Sequence, residues 1–294
     1  MNTTHRSWYR GPRHSGRFAL VVPAALLMLL VLVIPLGLLV YFGLLSGPDI
    51  DGPVTGAEWQ RMFAQPNLYG RLLLRSLLIG IDVTIITLAI ALPTAWAISR
   101  HVRRQGVVLT LIIVPALTSN LLLIYAIFVM IAPGSAFMSL LGSIGLVSAS
   151  GGILYTKWAV LLMLSYLHLP LMIVAMFATV ERIDQRTLNA AQSLGAGPIR
   201  RFIHVVLPMA LPGLLAGLVI VFTPTTGSFV EAAILGGSDG MLFGTMIDSQ
   251  LSTVNNQPRA AAMAMLLLVA IFTVLFVLQF VARQLAPGAL RRKA

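Results

Sequence analysis

The stretch that decides the fold is residues 181–208, ERIDQRTLNAAQSLGAGPIRRFIHVVLP. It holds both acidic and basic side chains, yet the stretches on either side, 158–180 and 202–230, contain no Asp, Glu, Lys or Arg. Each of these stretches is long enough for one membrane crossing, which takes about 20 apolar residues. Residues 181–208 are therefore predicted to form a polar loop between two transmembrane helices.

The same alternation of apolar and charged stretches runs along the whole chain of 294 residues. Hydrophobic residues make up 58% of it and charged residues 10%, whereas a soluble domain carries about 25% charged residues. This composition excludes a soluble enzyme and a disordered chain, and the absence of cysteine excludes a disulfide scaffold. It predicts an all-α, polytopic membrane protein.

Hydropathy places six transmembrane helices along the chain. They are predicted at residues 18–44, 77–99, 106–131, 158–180, 207–233 and 260–282. The first is too long for the 7–15-residue core of a signal peptide, so it is predicted to be a retained membrane helix. A short interfacial helix is predicted around residues 135–147. The amphipathic segment 57–76 is predicted to be an interfacial helix, and it could also dock an external partner.

The basic residues give the chain a direction in the membrane. Fifteen of the twenty lie in the two tails and in the loops 100–105 and 181–206, which alternate with the other connections. The acids Asp49 and Asp51 lie on the opposite side. By the positive-inside rule both termini are cytoplasmic. The net charge of +11 therefore reflects topology, and no nucleic acid partner is expected.

The domain organisation follows from these spans. Residues 1–17 are predicted to be a cytoplasmic tail, residues 18–283 a six-helix transmembrane domain, and residues 284–294 a second cytoplasmic tail. No metalloprotease, hydrolase or phosphate-loop motif occurs, so no catalytic residue, metal ligand or cofactor is predicted on this chain. If ATP drives its activity, the nucleotide site lies on another subunit.

Within the decisive stretch, the spacing predicts a helix over about 183–194, because Leu188, Ala191 and Leu194 share one side. Gly195 and the pair Gly197-Pro198 end that helix. A second short amphipathic helix is predicted over 198–205. Such a helix–turn–helix on the membrane surface suits docking into a groove on a soluble partner.

These residues resemble the EAA loop of ABC importer permeases, whose pattern is Glu-Ala-Ala-x3-Gly-x9-Ile-x-Leu-Pro. The matching positions are Asn189, Ala190, Ala191, Gly195, Val205, Leu207 and Pro208. Asn189 replaces the family's Glu, so an ion pair with an ATPase would become a neutral hydrogen bond. We refer to residues 181–208 as the coupling segment, since the resemblance implies that they transmit ATPase closure to the membrane helices.

The resemblance extends over most of the chain and is greatest to the first permease of spermidine/putrescine importers. It rests on the stretches 212–237, 241–251 and 258–262, and on TSNLLLIYA at 118–126. That subfamily commonly has an Arg within the last stretch, where residues 121–124 here are Leu-Leu-Leu-Ile. The resemblance thus implies a polyamine as the substrate, with other small organic ions as the alternative.

The family further implies a type I importer with several subunits. A second permease chain, two ATPase subunits that bind ATP and Mg, and a periplasmic or external solute-binding protein are the expected partners, beside membrane lipid. The Asn189 difference favours a heterodimer of permeases.

A cationic amine needs carboxylates and aromatic faces along its route. The pathway candidates are Asp82, Tyr125, Phe222, Phe229, Glu231 and Asp248, and Trp96 is a further aromatic candidate. The fifth predicted span contains several Pro and Gly residues, and interrupted helices of this kind expose backbone polar groups to a substrate. Two other functions remain open from the sequence: a stand-alone secondary transporter or channel, and a structural or assembly protein of the membrane.

Overall fold

The computed structural model describes residues 15–47, 52–145 and 152–285. The two predicted tails lie mostly outside these ranges, as do Asp49 and Asp51. The α-helices of the described ranges are, in chain order, α1 (Ser15–Leu44), α2 (Ala57–Ala64), α3 (Pro66–His101), α4 (Gln105–Ile113), α5 (Asn120–Ile131), α6 (Ala136–Ser143), α7 (Lys157–Val180), α8 (Gln185–Ser193), α9 (Pro198–Arg201), α10 (Leu207–Met209), α11 (Leu211–Thr226), α12 (Val230–Leu235), α13 (Phe243–Ser252) and α14 (Gln257–Leu285).

Within the described residues, four helical segments are long and apolar enough to cross a membrane. They are Leu26–Leu44, Pro66–His101, Lys157–Val180 and Gln257–Val281. Two bent pairs pass the same test, Gln105–Leu117 with Asn120–Ile131 and Pro198–Met209 with Leu211–Thr226. The prediction of an all-α membrane fold is confirmed, and the number of spans is six if each bent pair is one span.

The third predicted span, 106–131, consists of two helices joined by a bend and is not one straight helix. α4 ends in a 3-10 turn that contains Pro115, and Thr118 after it is extended with ψ 155°. Proline cannot donate the backbone hydrogen bond that would continue the helix, so the chain turns here. As a result α4 and α5 meet at 87°.

The fifth predicted span, 207–233, is divided at both ends. A π-helical turn, Phe202–Val206, joins α9 to α10, and the helix then bends by 66° at Ala210 before α11 begins. The bend lies between Pro208 and Pro212, neither of which can donate to the helical ladder. The predicted second short helix, 198–205, is thus the start of a longer helical segment that reaches Met209.

Two acidic residues consequently lie elsewhere than the sequence predicted. α11 ends at Thr226, so Glu231 belongs to the separate short helix α12 and not to the outer end of the fifth span. Asp248 lies within the helix α13 and not in a loop before the sixth span. Both differences arise because short helices pack between the long spans, which hydropathy does not register.

The second span is longer than predicted. α3 has 36 residues and is about 54 Å long, so it exceeds the hydrocarbon core and includes the second half of the amphipathic segment 57–76. α2 forms the first half of that segment. α6 lies where a short helix was predicted, around 135–147.

The centre of the fold is a three-helix contact of α3, α7 and α11, around which the other spans pack. Small residues allow the close approach. A Cβ on Gly213 would lie 2.8 Å from the carbonyl oxygen of Ala175 in α7, and a Cβ on Gly80 would lie 2.9 Å from the ring of Phe222 in α11. Membrane helices commonly use small residues in this way, because lipid and protein side chains are equally apolar.

Candidate functional site

The first helix of the coupling segment has a defined start and end. Asp184 is the N-cap of α8, and its carboxylate accepts a hydrogen bond from the Arg186 amide at 2.9 Å. At the other end the Ala196 amide donates to the Ala191 carbonyl at 3.0 Å and the Gly195 amide to the Gln192 carbonyl at 2.9 Å. This pair of bonds is a Schellman motif, which requires a left-handed residue. Gly195 supplies it, with φ +82°.

The coupling segment is anchored to the transmembrane bundle by a small core of its own. Ile183, Leu188 and Val206 are buried together, with Trp96 and Phe202 packed against them. Leu188 is the buried residue of α8, so most of that helix is left free on the surface. The segment can therefore contact another protein while remaining fixed to the bundle.

The C-terminal end of α3 makes the second anchor. The Arg100 guanidinium donates to the Ile183 carbonyl at 2.6 Å and lies 4.9 Å from the centre of the Trp96 ring. The Trp96 and Phe202 rings meet edge to face at 6.4 Å. These groups line a groove of about 520 Å³ between α3, α8 and α9. The structure thus places Trp96 at the coupling segment, whereas the sequence suggested it as an aromatic face for a substrate.

The exposed surface of the coupling segment carries large apolar side chains. Leu194 is 89% exposed and Ile199 is 74% exposed, and Ile203 lines a shallow surface groove together with Ile199. Arg201 donates to the Gln192 side chain at 2.9 Å and so joins the two helices across their turn. Exposed apolar side chains rimmed by polar ones are typical of a protein interaction surface.

The residues that match the EAA pattern fall into two places. Asn189 and Ala190 are exposed on α8, and the Asn189 side chain accepts a hydrogen bond from Gln185 at 3.1 Å. Leu207 and Pro208 form α10, directly before the 66° bend into α11. The pattern therefore links an exposed helix to the bent end of a membrane span.

The break between α11 and α12 contains a buried polar cluster. Its members Thr225, Thr226, Ser228 and Glu231 are all at most 9% exposed. The Ser228 hydroxyl donates to the Glu231 carboxylate, and the Thr225 hydroxyl has no protein hydrogen-bond partner within the described residues. Buried polar groups at a helix break are typical of transport pathways.

The other pathway candidates differ in burial and in position. Phe222 is fully buried in the contact of α11 with α3, while Phe229 is 42% exposed and Tyr125 is 56% exposed. Asp248 is exposed on α13. Asp82 lines a separate groove on α3.

Sequence reasoning missed one buried ionic cluster. Glu58 of α2 is fully buried and pairs with Arg61 at 2.5 Å and with Arg259 of α14 at 2.7 Å. The Trp59 indole donates to the Gly43 carbonyl of α1 at 2.8 Å. α2 is thereby fixed to the first and last spans. The one sequence signal was the i, i+3 spacing of Glu58 and Arg61, which does not reveal burial.

The family comparison agrees with this architecture. The profile of the family "Binding-protein-dependent transport system inner membrane component" matches residues 84–289. The spermidine/putrescine transport system permease protein PotB of Haemophilus influenzae is 34% identical over 226 residues, which cover 76% of this chain and 78% of the relative. PotB of Escherichia coli strain K12 is 29% identical over 211 residues, covering 71% and 77%.

A solved structure shares the fold. The crystal structure of a bacterial alginate ABC transporter, in complex with its alginate pentasaccharide-bound periplasmic protein, contains a chain with a TM-score of 0.72. The match covers 92% of this chain and 94% of the other chain. Because the identity is 17%, the match shows a common fold and nothing more. The resemblance seen in residues 181–208 is confirmed. The chain belongs to the family of inner membrane components of binding-protein-dependent transport systems and has the type I permease fold of ABC importers.

Proposed function

We propose that this chain is the permease subunit of an ATP-driven importer that takes up a polyamine delivered by an external solute-binding protein. The observation that carries the coupling role is the capped, two-helix coupling segment, anchored to α3 and continuous with the bent start of α11. The identity of 34% to a spermidine/putrescine permease supports the substrate class. Both termini are cytoplasmic in this proposal, in agreement with the distribution of basic residues.

The ATPase subunit binds the exposed face of the coupling segment. Leu194 and Ile199 supply apolar contact, and Asn189 supplies a neutral hydrogen bond where other family members have a carboxylate. ATP and Mg are bound by that partner. Closure of two ATPase subunits moves α8 and α9, and the anchors at Trp96 and Arg100 transmit the movement to the membrane helices as a rigid body.

A second permease chain completes the pathway. The exposed Asn189 makes this subunit different from one that carries a Glu at the same position, which favours a pair of unlike permeases. The binding protein docks at the opposite face of the membrane from the coupling segment.

The substrate route passes the break between α11 and α12. Glu231 is the carboxylate with the strongest support, because it is buried in a polar cluster that also holds an unsatisfied Thr225 hydroxyl. A desolvated ammonium group needs such a charged acceptor. Phe229 and Asp248 remain proposed contacts, whereas Asp82 lies in a separate groove that Arg71, Arg75 and Lys157 also line.

The decisive experiment is reconstitution of the importer in liposomes with its second permease, its ATPase and its binding protein. Uptake of labelled spermidine or putrescine is expected with the ATPase and is expected to cease without it. Transport of the solute by this chain in the absence of any ATPase would establish a secondary transporter or channel instead. Uptake of another organic ion with no polyamine uptake would keep the importer and overturn its substrate.

The role of Glu231 is tested in the same system. Glu231→Gln removes one charge-assisted interaction and is expected to lower polyamine uptake by about tenfold or more. Ser228→Ala is the matched control, since it removes the hydroxyl partner in the same cluster and leaves the charge. Equal uptake by wild type and Glu231→Gln, with normal ATPase activity, would refute a carboxylate route at this position.

A further inference from the structure

A groove of about 740 Å³ on the side of α3 collects charges of both signs. The cations Arg71, Arg75 and Lys157 line it together with the carboxylates of Asp82 and Asp239. It is separate from the coupling segment and from the Glu231 cluster, and the function proposed above gives it no role.

The groove lies at one boundary of the membrane. Arg71, Arg75, Leu78 and Asp82 are spaced i, i+4, i+7 and i+11, which places them in one stripe along α3. At 1.5 Å per residue, Asp82 is about 27 Å along the helix from Arg100, close to the thickness of the hydrocarbon core of about 30 Å. Because Arg100 touches the coupling segment, Asp82 lies near the opposite surface, and the two arginines lie beyond it at headgroup level.

The charges of the groove do not satisfy one another. Among the residues the structure describes, no ion pair joins any of the three cations to Asp82 or Asp239, and the polar contact of Arg75 is a 3.3 Å bond to the Ser238 carbonyl. Four of these five charged residues are exposed, so their charges are open to a ligand. The groove therefore suits a ligand that brings a negative and a positive group of its own.

An apolar trough adjoins the charges. Leu74 and Leu78 are exposed on the same part of α3, at 57% and 49%. Trp158, which is 61% exposed, lies beside Lys157 with the ammonium nitrogen 5.0 Å from its ring centre. Exposed tryptophan at this level is typical of the interface between lipid headgroups and chains.

We propose that this groove binds a zwitterionic phospholipid of the phosphatidylethanolamine class. Its phosphate takes hydrogen bonds from the three cations, its ammonium donates to Asp239, which adjoins Ser238 at the level of Arg75, and an acyl chain covers Leu78 on the side toward Asp82. The carboxylates disfavour a headgroup whose only charge is negative, and this sets the lipid preference. In the proposed orientation the lipid belongs to the outer leaflet.

The test measures the lipids retained by the purified full chain, alone and within the assembled importer, after extraction from membranes that contain equal phosphatidylethanolamine and phosphatidylglycerol. Wild type is expected to retain the former in excess. Arg71→Gln with Lys157→Gln is expected to lower the retention of both lipids by about tenfold or more. Asp82→Asn with Asp239→Asn is expected to keep a bound lipid and abolish the preference.

Two further variants separate the groove from general effects of charge and folding. Arg103→Gln with Arg104→Gln removes two exposed cations at the other end of α3 and is expected to change nothing. Leu78→Trp fills the trough without a change of charge and is expected to displace the lipid. Native gel filtration of each variant checks folding.

Three results would overturn the proposal. The first is equal lipid retention and preference in wild type and in both charge variants. The second is cross-linking of a cysteine at Leu78 to another subunit of the assembled importer, which would make the groove a protein interface. The third is displacement of the lipid by spermidine, which would assign the groove to the substrate route. Because none of these assays measures uptake, they are independent of the polyamine proposal.

Discussion

The turn at Gly195 offers a test of the coupling segment through one added methyl group. Gly195 has φ +82°, a conformation that costs an L-residue with a side chain about 1–2 kcal/mol. A Cβ built at this position meets no atom within 4 Å. Gly195→Ala therefore acts through the backbone conformation alone, and it weakens the Schellman motif that ends α8.

A matched control lies two residues away in the same turn. A Cβ on Gly197 also meets no atom within 4 Å, but its φ of −64° and ψ of 169° suit any residue. Gly197→Ala is therefore expected to be neutral or to stabilise the turn by about 0.4–1 kcal/mol. The cost of about 1–2 kcal/mol in Gly195→Ala corresponds to about 5–30-fold in the equilibrium between the closed and the opened turn.

Hydrogen exchange measures this difference directly. The amides of Gly195 and Ala196, which donate to the Gln192 and Ala191 carbonyls, are expected to exchange faster by that factor in Gly195→Ala and not in Gly197→Ala. ATP-dependent uptake is expected to fall in the same order. Equal exchange in the two variants would refute the conformational argument, and equal uptake despite unequal exchange would refute the coupling role of the turn.

Three other substitutions test the packing through thermal unfolding and hydrogen exchange in detergent. Glu58→Gln leaves Arg259, whose side chain is 24% exposed, without its anionic partner and should lower the free energy of unfolding by about 2 kcal/mol, whereas Arg61→Gln removes the 58% exposed partner and should cost less than about 1 kcal/mol. Gly80→Ala should cost about 1–3 kcal/mol through overpacking against Phe222, while Gly70→Ala in the same helix has open space and should stabilise by about 0.5 kcal/mol. Asp184→Ala removes the cap of α8 and should cost about 1 kcal/mol, visible as faster exchange of its first turn. The ionic contact of Glu58 would be contradicted if Glu58→Gln unfolded like wild type. Equal stability of the two glycine variants would contradict the close contact of Gly80 with Phe222. Unchanged exchange in α8 would contradict the capping role of Asp184.

The spans were predictable because the transfer of apolar residues into lipid depends on composition and length, both of which are local. The bends were not. Pro115 and Pro212 mark places where a helix can break, yet Pro93 and Pro170 lie within the continuous helices α3 and α7. Whether a proline breaks a membrane helix depends on which neighbours satisfy the freed carbonyl groups.

The candidate site was likewise predictable from the sequence only in part. Gly195 was identified from its place in the segment, because a helix end with a left-handed residue is a local requirement. The burial of Glu58 was not foreseen, since its partner Arg259 is 201 residues away in the chain. Phe222 was a pathway candidate by residue type, and its place against Gly80 became visible only in the packed bundle.

The sequence by itself determined that this chain spans a membrane, where its polar loops lie, and which loop carries the coupling pattern, because these properties depend on residues close together in the chain. The tertiary structure alone decided which apolar faces meet protein, which charges are paired, and which remain unpaired in the groove on α3. Apolar residues are favoured both where a helix faces lipid and where it packs against another helix. The sequence of an apolar span therefore does not show which of its faces meets lipid and which meets protein. Only the three-dimensional arrangement brings Glu58 to Arg259 and sets Asp82 beside three cations.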